Sequence, residues 1–394
     1  FCRAIVEAIG ASRELPTEHG RLQCCATSAF ADLHPEALRE LGVSPAGAQG
    51  GNTTVRIGDA FVLKIYRRLQ AGINPGVEIG RYLTEVAHFP NIVPLAGFID
   101  YHRADGAVLT LGLLQAFVGN QGNAWDYTVN YLVRFLEERM TRAPVPVDVH
   151  GLYLALVKTL ATRTAQLHGA LAANAAPDFA PEPVTRNDVR AWRTEAQAAA
   201  SGALELLAER AHALAPPAAA DADALLAQRS KWSLRPAAAP APQGMKFRCH
   251  GDYHLAQVLV KRNDFVITDF EGPQDQSIEQ RRRKRSPLRD IASMLRSFAY
   301  ARRMALQQWS PTPGNERGRW EPQLDEWERQ TRRVFVSAYD EVARSSGEYA
   351  SLEEADPLLQ QFELEAAFVD LRHALLHRPE WVGVVLRSVA ALAG

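Results

Sequence analysis

The most informative residues are His250-Gly251-Asp252-Tyr253-His254-Leu255-Ala256-Gln257 and, a short distance on, Asp269-Phe270-Glu271-Gly272. Phosphoryl transfer from a nucleoside triphosphate needs a carboxylate that orients and deprotonates an alcohol, and ligands that hold magnesium on the phosphates. Protein kinases meet this need with H-R-D-x-x-x-x-N and then D-F-G. Here Asp252 takes the place of the base. Gln257, five residues later, offers an amide oxygen, a hard ligand suited to magnesium. Asp269 is the second metal ligand. Between them Val258-Leu259-Val260 and Phe265-Val266-Ile267-Thr268 read as a hairpin turning at Arg262-Asn263-Asp264, which brings Gln257 and Asp269 to one end.

A phosphate-pairing lysine is expected upstream. Lys64, in Val62-Leu63-Lys64-Ile65, is one charged residue in an apolar strand. It needs a carboxylate, and the following helix offers Glu78 first and Glu85 second. Gly51, Asn52 and Thr53 precede the strand pair and would let backbone N–H groups approach phosphates. Gln115 and Phe117 end the last strand before the helical region, where a hinge would offer main-chain groups to adenine.

These residues need a scaffold. Residues 1–48 form a small first section with a short helix, a strand at Arg21–Cys25 and a helix start at His34–Leu38. Residues 49–118 read as a β-rich lobe with one helix, Gly76 to Ala87, and a hairpin turning at Ala104-Asp105-Gly106. Residues 119–394 read as a helical lobe. Its helices span Trp125–Met140, Gly151–Ala173 and an Ala-rich Asp188–Leu214 capped by Asp188, with more from Pro287 onward apart from a loop at Pro311–Asn315. Pro216-Pro217 and Pro236–Pro242 read as loops. This order is that of an α+β, two-lobed, protein-kinase-like fold with the nucleotide between the lobes.

Composition narrows the function further. Lys plus Arg number 44 and Asp plus Glu 45, so the net charge is −1 and no broad positive field exists for nucleic acid. The run Arg281-Arg282-Arg283-Lys284-Arg285 reads as a solvated loop beside the phosphate cleft. Four cysteines without metal-ligand spacing suit reduced thiols in the cytoplasm. No apolar run approaches the roughly 18 residues that suggest a membrane span. The first residue is Phe1, so the sequence reads as a fragment.

The stretch His250 to Arg303, with H-G-D-Y-H-L-x-Q-V-L, D-F-E-G and S-P-L-R-D, resembles the bacterial maltokinases of the aminoglycoside-phosphotransferase-like kinases. Asn52-Thr53-Thr54, Asn74-Pro75, Glu78-Ile79-Gly80-Arg81, Asn120-Gln121-Gly122 and Arg378-Pro379-Glu380-Trp381 extend the similarity over almost the whole chain. The resemblance implies an N-terminal cap subdomain and transfer of the γ-phosphoryl group of ATP, with Mg2+, to the anomeric hydroxyl of maltose. Asp252 would be the base, with Gln257 and Asp269 on the metal and Glu271 a further acid in that metal site. The chain's opening resembles the kinase module of trehalose synthase–maltokinase fusions, so a trehalose synthase is an implied partner. Maltokinases carry a Y-E-x-x-Y-E-like helix near the C-terminal Trp. This chain has Val369-Asp370-Leu371-Arg372-His373-Ala374 instead. His250, Arg296, Asp370, His373 and Trp381 are the candidate acceptor contacts. Glucosamine or another amino sugar is the alternative acceptor, and a non-catalytic docking module the alternative class.

Overall fold

The computed structural model describes residues 1–31, 41–46, 52–140, 149–230, 244–309, 317–346 and 352–393. The expectations at His34–Leu38, Gly50–Gly51, Pro236–Pro242 and Pro311–Asn315 lie outside them.

Seven strands form one antiparallel sheet, built from alternating apolar residues and short turns. β1 (Glu14–Thr17), β2 (Gly20–Ala26), β3 (Val43–Pro45), β4 (Asn52–Ile57), β5 (Phe61–Tyr66), β6 (Leu95–Arg103) and β7 (Val108–Ala116) lie in the order β1-β2-β6-β7-β5-β4-β3. β5 is central to the chemistry. Phe61, Leu63 and Tyr66 are buried, and Lys64 lies between them, opposite Thr54 and Leu113 in register. The opening helix α1 (Cys2–Gly10) packs Val6 and Ile9 onto this sheet with Phe61, Ala96 and Leu114. Gly97 is required there: a Cβ would stand 2.3 Å from Ile9 Cγ2. The first section and the strands after it therefore share one sheet, β2 pairing with β6 from Gly20↔Arg103 to Ala26↔Gly97.

After α2 (Ser28–Ala31) and β3 to β5 comes α3 (Pro75–Arg81). Asn74 caps it, accepting from the Gly76 N–H at 2.8 Å, and Pro75 sits where its missing N–H costs nothing. The helix continues as a π turn, Tyr82–Val86.

The second lobe holds α4 (Ala124–Met140), α5 (Gly151–Ala172), α6 (Arg186–Arg210), α7 (Pro216–Ala227), α8 (Ile278–Arg281), α9 (Leu288–Gln308), α10 (Arg317–Ser346), α11 (Leu352–His377) and α12 (Val382–Ala393). It also holds the short pairs β8 (Glu182–Pro183) with β9 (Met245–Lys246) and β10 (Val258–Lys261) with β11 (Asp264–Ile267). Its core centres on α9, where Ile291, Leu295 and Phe298 meet Leu160, Trp327 and Phe335. Each such side chain, fully buried, contributes about 1.5–3 kcal/mol.

Two boundaries correct the sequence reading. Thr185, not Asp188, caps α6; Asp188 is the reciprocal partner three residues on in a capping box. Pro216-Pro217 opens a helix instead of breaking one, because proline fits the first turn. Among the described residues no helix is long and apolar enough to cross a membrane.

Candidate active site

The β10–β11 hairpin sets the geometry. Val258 pairs with Ile267, and the Thr268 N–H donates to the Gln257 carbonyl at 3.0 Å, so Gln257 and Asp269, the residue after Thr268, meet: Gln257 Nε2 donates to Asp269 Oδ2 at 3.3 Å. Asp269 has φ +68°, a left-handed conformation that aspartate tolerates better than most residues. Its other oxygen takes Lys64 Nζ at 3.0 Å, across from the sheet lobe. Lys64 also lies 2.5 Å from Glu271 Oε1.

Here the sequence reading is corrected twice. Glu78 does not hold Lys64. It accepts from Arg248 at 2.8 Å and from Arg282 at 2.7 and 3.0 Å. Glu85 pairs with Arg81 at 2.7 Å. Glu271, expected in the metal site, shares the Lys64 ammonium with Asp269, and its second oxygen accepts from Gln274 at 2.8 Å. The cause is burial: Arg248 is 1% exposed and needs a carboxylate, so it takes Glu78.

These contacts set the charges. Burial works to raise Asp269, but the Lys64 ammonium and its hydrogen bond, with His250 and Gln257, hold the carboxyl below its usual value. Glu271 is pushed up, first by burial and then by the Asp269 charge, against the pull of Lys64. Buried Tyr66 is raised by desolvation and by Glu271 beside it.

Asp252 follows Gly251, whose φ of +84° makes the turn. The loop is anchored by Asp290 of α9, which accepts from the N–H groups of His250 (2.8 Å) and Gly251 (3.0 Å). Asp290 is held in turn by His168 at 3.1 Å, and His168 by the Tyr339 hydroxyl at 2.7 Å. Burial would raise Asp290; the hydrogen bond and charge of His168 and the loop amides keep it low. The Asp252 side chain retains 42% exposure, with His254 Nε2 3.8 Å away. Desolvation in its recess raises its pKa, the nearby Asp269 and Asp370 add to this, and His254 and His250 oppose it. With that exposure it remains an ionisable, solvent-reachable carboxylate.

The acceptor candidates divide. His250 is buried, donates from Nε2 to the Thr268 carbonyl at 2.9 Å and accepts from the Asp252 N–H at 3.4 Å, so it shapes the loop. Arg296, 3% exposed, is bound to Asp370 and Tyr300 and orients that carboxylate. Asp370 keeps 44% exposure in the neighbourhood of Asp252 and accepts from Tyr300 at 3.0 Å. Trp381 lies 5.6 Å from Trp125 and 6.5 Å from Tyr300, ring to ring. His373 is exposed, its ring 5.0 Å from that of His377.

On the nucleotide side, Gly51 lies outside the described residues. Asn52 is buried opposite Tyr66, while Thr53 is exposed opposite Ile65. Gln115 sits within the ladder between Val62 and Leu95. The Phe117 N–H, expected to face adenine, donates to the Ala60 carbonyl at 2.8 Å, and its ring lies under Arg56 at 4.0 Å. That N–H is therefore not open to a base. The basic run is also corrected: Arg281, Arg282 and Lys284 are ion-paired or hydrogen-bonded inside the protein, to Gln70, Glu78 and Glu182 respectively.

Asp290, His168, Arg248 and Asn74 carry site geometry that the sequence reading left without a role. Asp290 was visible only as part of the S-P-L-R-D stretch; its function depends on a contact to residues 39 and 40 positions away.

No protein-family model matches the chain. A glucosamine kinase of Mycolicibacterium smegmatis is 24% identical over 351 residues, 89% of this chain and 79% of its own length. A glucosamine kinase of Streptacidiphilus jiangxiensis is 26% identical over 365 residues, 87% of this chain and 73% of its own. Crystal form B of a glucosamine kinase superposes with a TM-score of 0.65 at 20% identity, covering 100% of this chain and 86% of that one. A glucosamine kinase complex with glucosamine, ADP and inorganic phosphate gives 0.64 at 19% identity, over 97% of this chain and 93% of that one. The chain thus has an α+β, two-lobed fold shared with these glucosamine kinases.

Proposed function

We propose that this chain is an ATP-dependent kinase that phosphorylates a hydroxyl of an amino sugar, with glucosamine the first candidate. The observation that carries the reading is the convergence of Lys64, Asp269 and Gln257 across the lobes, beside a half-exposed Asp252. Asp252 accepts the alcohol proton as the hydroxyl oxygen bonds to the γ-phosphorus and the bond from that phosphorus to the β–γ bridging oxygen breaks, so that ADP leaves. Lys64 lies where it can move from the carboxylates to the nucleotide phosphates.

The donor set fits a hard cation. Asp269 supplies a carboxylate and Gln257 an amide, and the ammonium of Lys64 already occupies a cation's place beside them. Among the described residues no group of three or more His, Cys, Asp or Glu could hold a metal. Mg2+ does not need one, since it keeps waters and phosphate oxygens as ligands. When bound, it would neutralise charge on the transferring phosphoryl group.

Two observations favour glucosamine over maltose. The two relatives described above are glucosamine kinases matched over most of the chain. Beside the base, Asp370, held by Arg296 and Tyr300 through one oxygen, keeps 44% exposure and offers a carboxylate that an ammonium could approach, where the aromatic pair of the maltokinase-like helix is missing. The trehalose synthase partnership belongs to the maltose reading. The non-catalytic reading loses ground because Lys64, Asp252, Gln257 and Asp269 are all present and assembled.

The deciding experiment is ADP release with Mg·ATP and glucosamine, maltose or no acceptor. Glucosamine-dependent turnover that disappears in Asp252→Asn is the expected result. Turnover on maltose alone would replace the acceptor, and nucleotide binding without turnover would replace the enzyme reading.

A further inference from the structure

Glu78 sits at the meeting point of three chain segments. It belongs to α3, on the sheet side of the cleft. Arg248, two residues before His250, donates to it from the catalytic loop's approach, and Arg282, just past α8, donates to it through two nitrogens. All three are sheltered: Glu78 is 13% exposed, Arg248 1% and Arg282 22%. An ion pair this enclosed is costly to break, since removing one partner strands the others.

A second link runs parallel to the first. Arg281 donates to the Glu271 carbonyl at 2.9 Å and to Gln70 at 3.1 Å, and Gln70 returns a bond to the Gln276 carbonyl at 3.4 Å. The start of α3 rests on Glu271 itself: a Cβ added to Gly76 would stand 2.9 Å from Glu271 Cγ. Phe179 backs the arrangement, 5.0 Å below the Arg248 guanidinium and 5.5 Å from the ring of Tyr82. A shift of α3 therefore reaches Glu271, and through it Lys64.

We infer that Glu78, Arg248 and Arg282 form an interlobe clamp, in which the two arginines are positioning residues that set Lys64 over the catalytic loop for the nucleotide. The basic run is then a structural latch. The clamp acts on the nucleotide, which spans the lobes, and not on the acceptor recess, whose walls at Asp370, Tyr300 and Trp381 all belong to the helical lobe. The inference rests on the kinase reading for its kinetic readout alone.

The test uses the full chain with Arg282→Gln and Arg282→Lys. Lysine keeps the charge but lacks the two-pronged geometry. Arg282→Gln should raise KM for ATP and lower kcat, together costing about 10- to 100-fold in kcat/KM, with KM for the sugar changed less than about twofold. Arg282→Lys should fall between it and the parent. Amide exchange over residues 75–86 should quicken in the same order. Raising salt should increase the parent's KM for ATP more than that of Arg282→Gln, because Arg282 is partly exposed to screening. An unchanged KM for ATP, or equal rises in both KM values, would overturn the clamp. If Arg282→Gln does not fold, Arg282→Lys is judged by the same criteria. If the parent protein fails to phosphorylate glucosamine, that counts against the proposed function. The clamp is then decided by amide exchange and Mg·ADP affinity, and no change in either on Arg282→Gln would reject it.

Discussion

Lys64 and Asp269, 205 residues apart in the chain, are joined Nζ to Oδ1 at 3.0 Å, and this pair draws the sheet lobe and the helical lobe together at the cleft. Asp269 serves it from a left-handed backbone, where asparagine is also tolerated and alanine is not. Asp269→Asn should therefore abolish turnover with a small loss of stability. Asp269→Ala should abolish turnover and lose about 1–2 kcal/mol more. Urea unfolding of the two variants side by side checks the difference.

Asp252 is the proton acceptor in the proposed reaction and bears little structural load, being 42% exposed. Asp252→Asn should lower kcat by about 10²–10⁴ and shift stability by no more than about 0.5 kcal/mol. Steady-state ADP release and thermal unfolding on the same preparation measure both.

Acid should stop catalysis before it unfolds the protein. Asp252 has its pKa raised and must be ionised to work, so kcat/KM should fall through a pKa above the ordinary aspartate value of about 3.9. Asp290 has its pKa lowered in the folded state. Its contribution to stability is present above the unfolded value, about 3.9, and is lost as pH falls through the lower folded value. A pH profile beside near-ultraviolet circular dichroism should show activity fading while the tertiary signal persists. Simultaneous loss would contradict the ordering.

His168 is wholly buried and links Tyr339 to Asp290. His168→Ala should leave Asp290 short of a partner and cost about 1–3 kcal/mol. It should also loosen the His250-Gly251 amides. Denaturant titration reads the first effect and amide exchange at the loop the second.

Asp370→Asn should raise KM for glucosamine about 10- to 100-fold, the range of a hydrogen bond to a charged group, and leave KM for ATP unchanged. Buried Arg296 loses its counter-charge in that variant, so the melting temperature is measured alongside.

The His250–Asp252 loop and the hairpin were legible because the signal is local: Asp252, Gln257 and Asp269 lie within one short loop-and-hairpin segment whose register follows from alternating apolar residues. The strand setting of Lys64 was legible for the same reason. Its partner was not. Choosing Glu78 from helix position alone ignored the demand of Arg248, whose burial only the folded chain reveals. Phe117 illustrates the same limit, since its N–H is taken by Ala60, on the turn between β4 and β5. The basic run looked solvated because its acids, Glu78, Asp178 and Glu182, lie about a hundred or more positions away.

The pairing of β2 with β6 bears on any attempt to shorten this protein. Cutting the chain ahead of β4 would strip seven partners in register from β6 and lay bare a long, apolar ribbon of unpaired amides beside the lobe that holds Lys64. The opening segment is thus less an appendage than a seal, and a minimal enzyme trimmed to its chemistry would invite self-association.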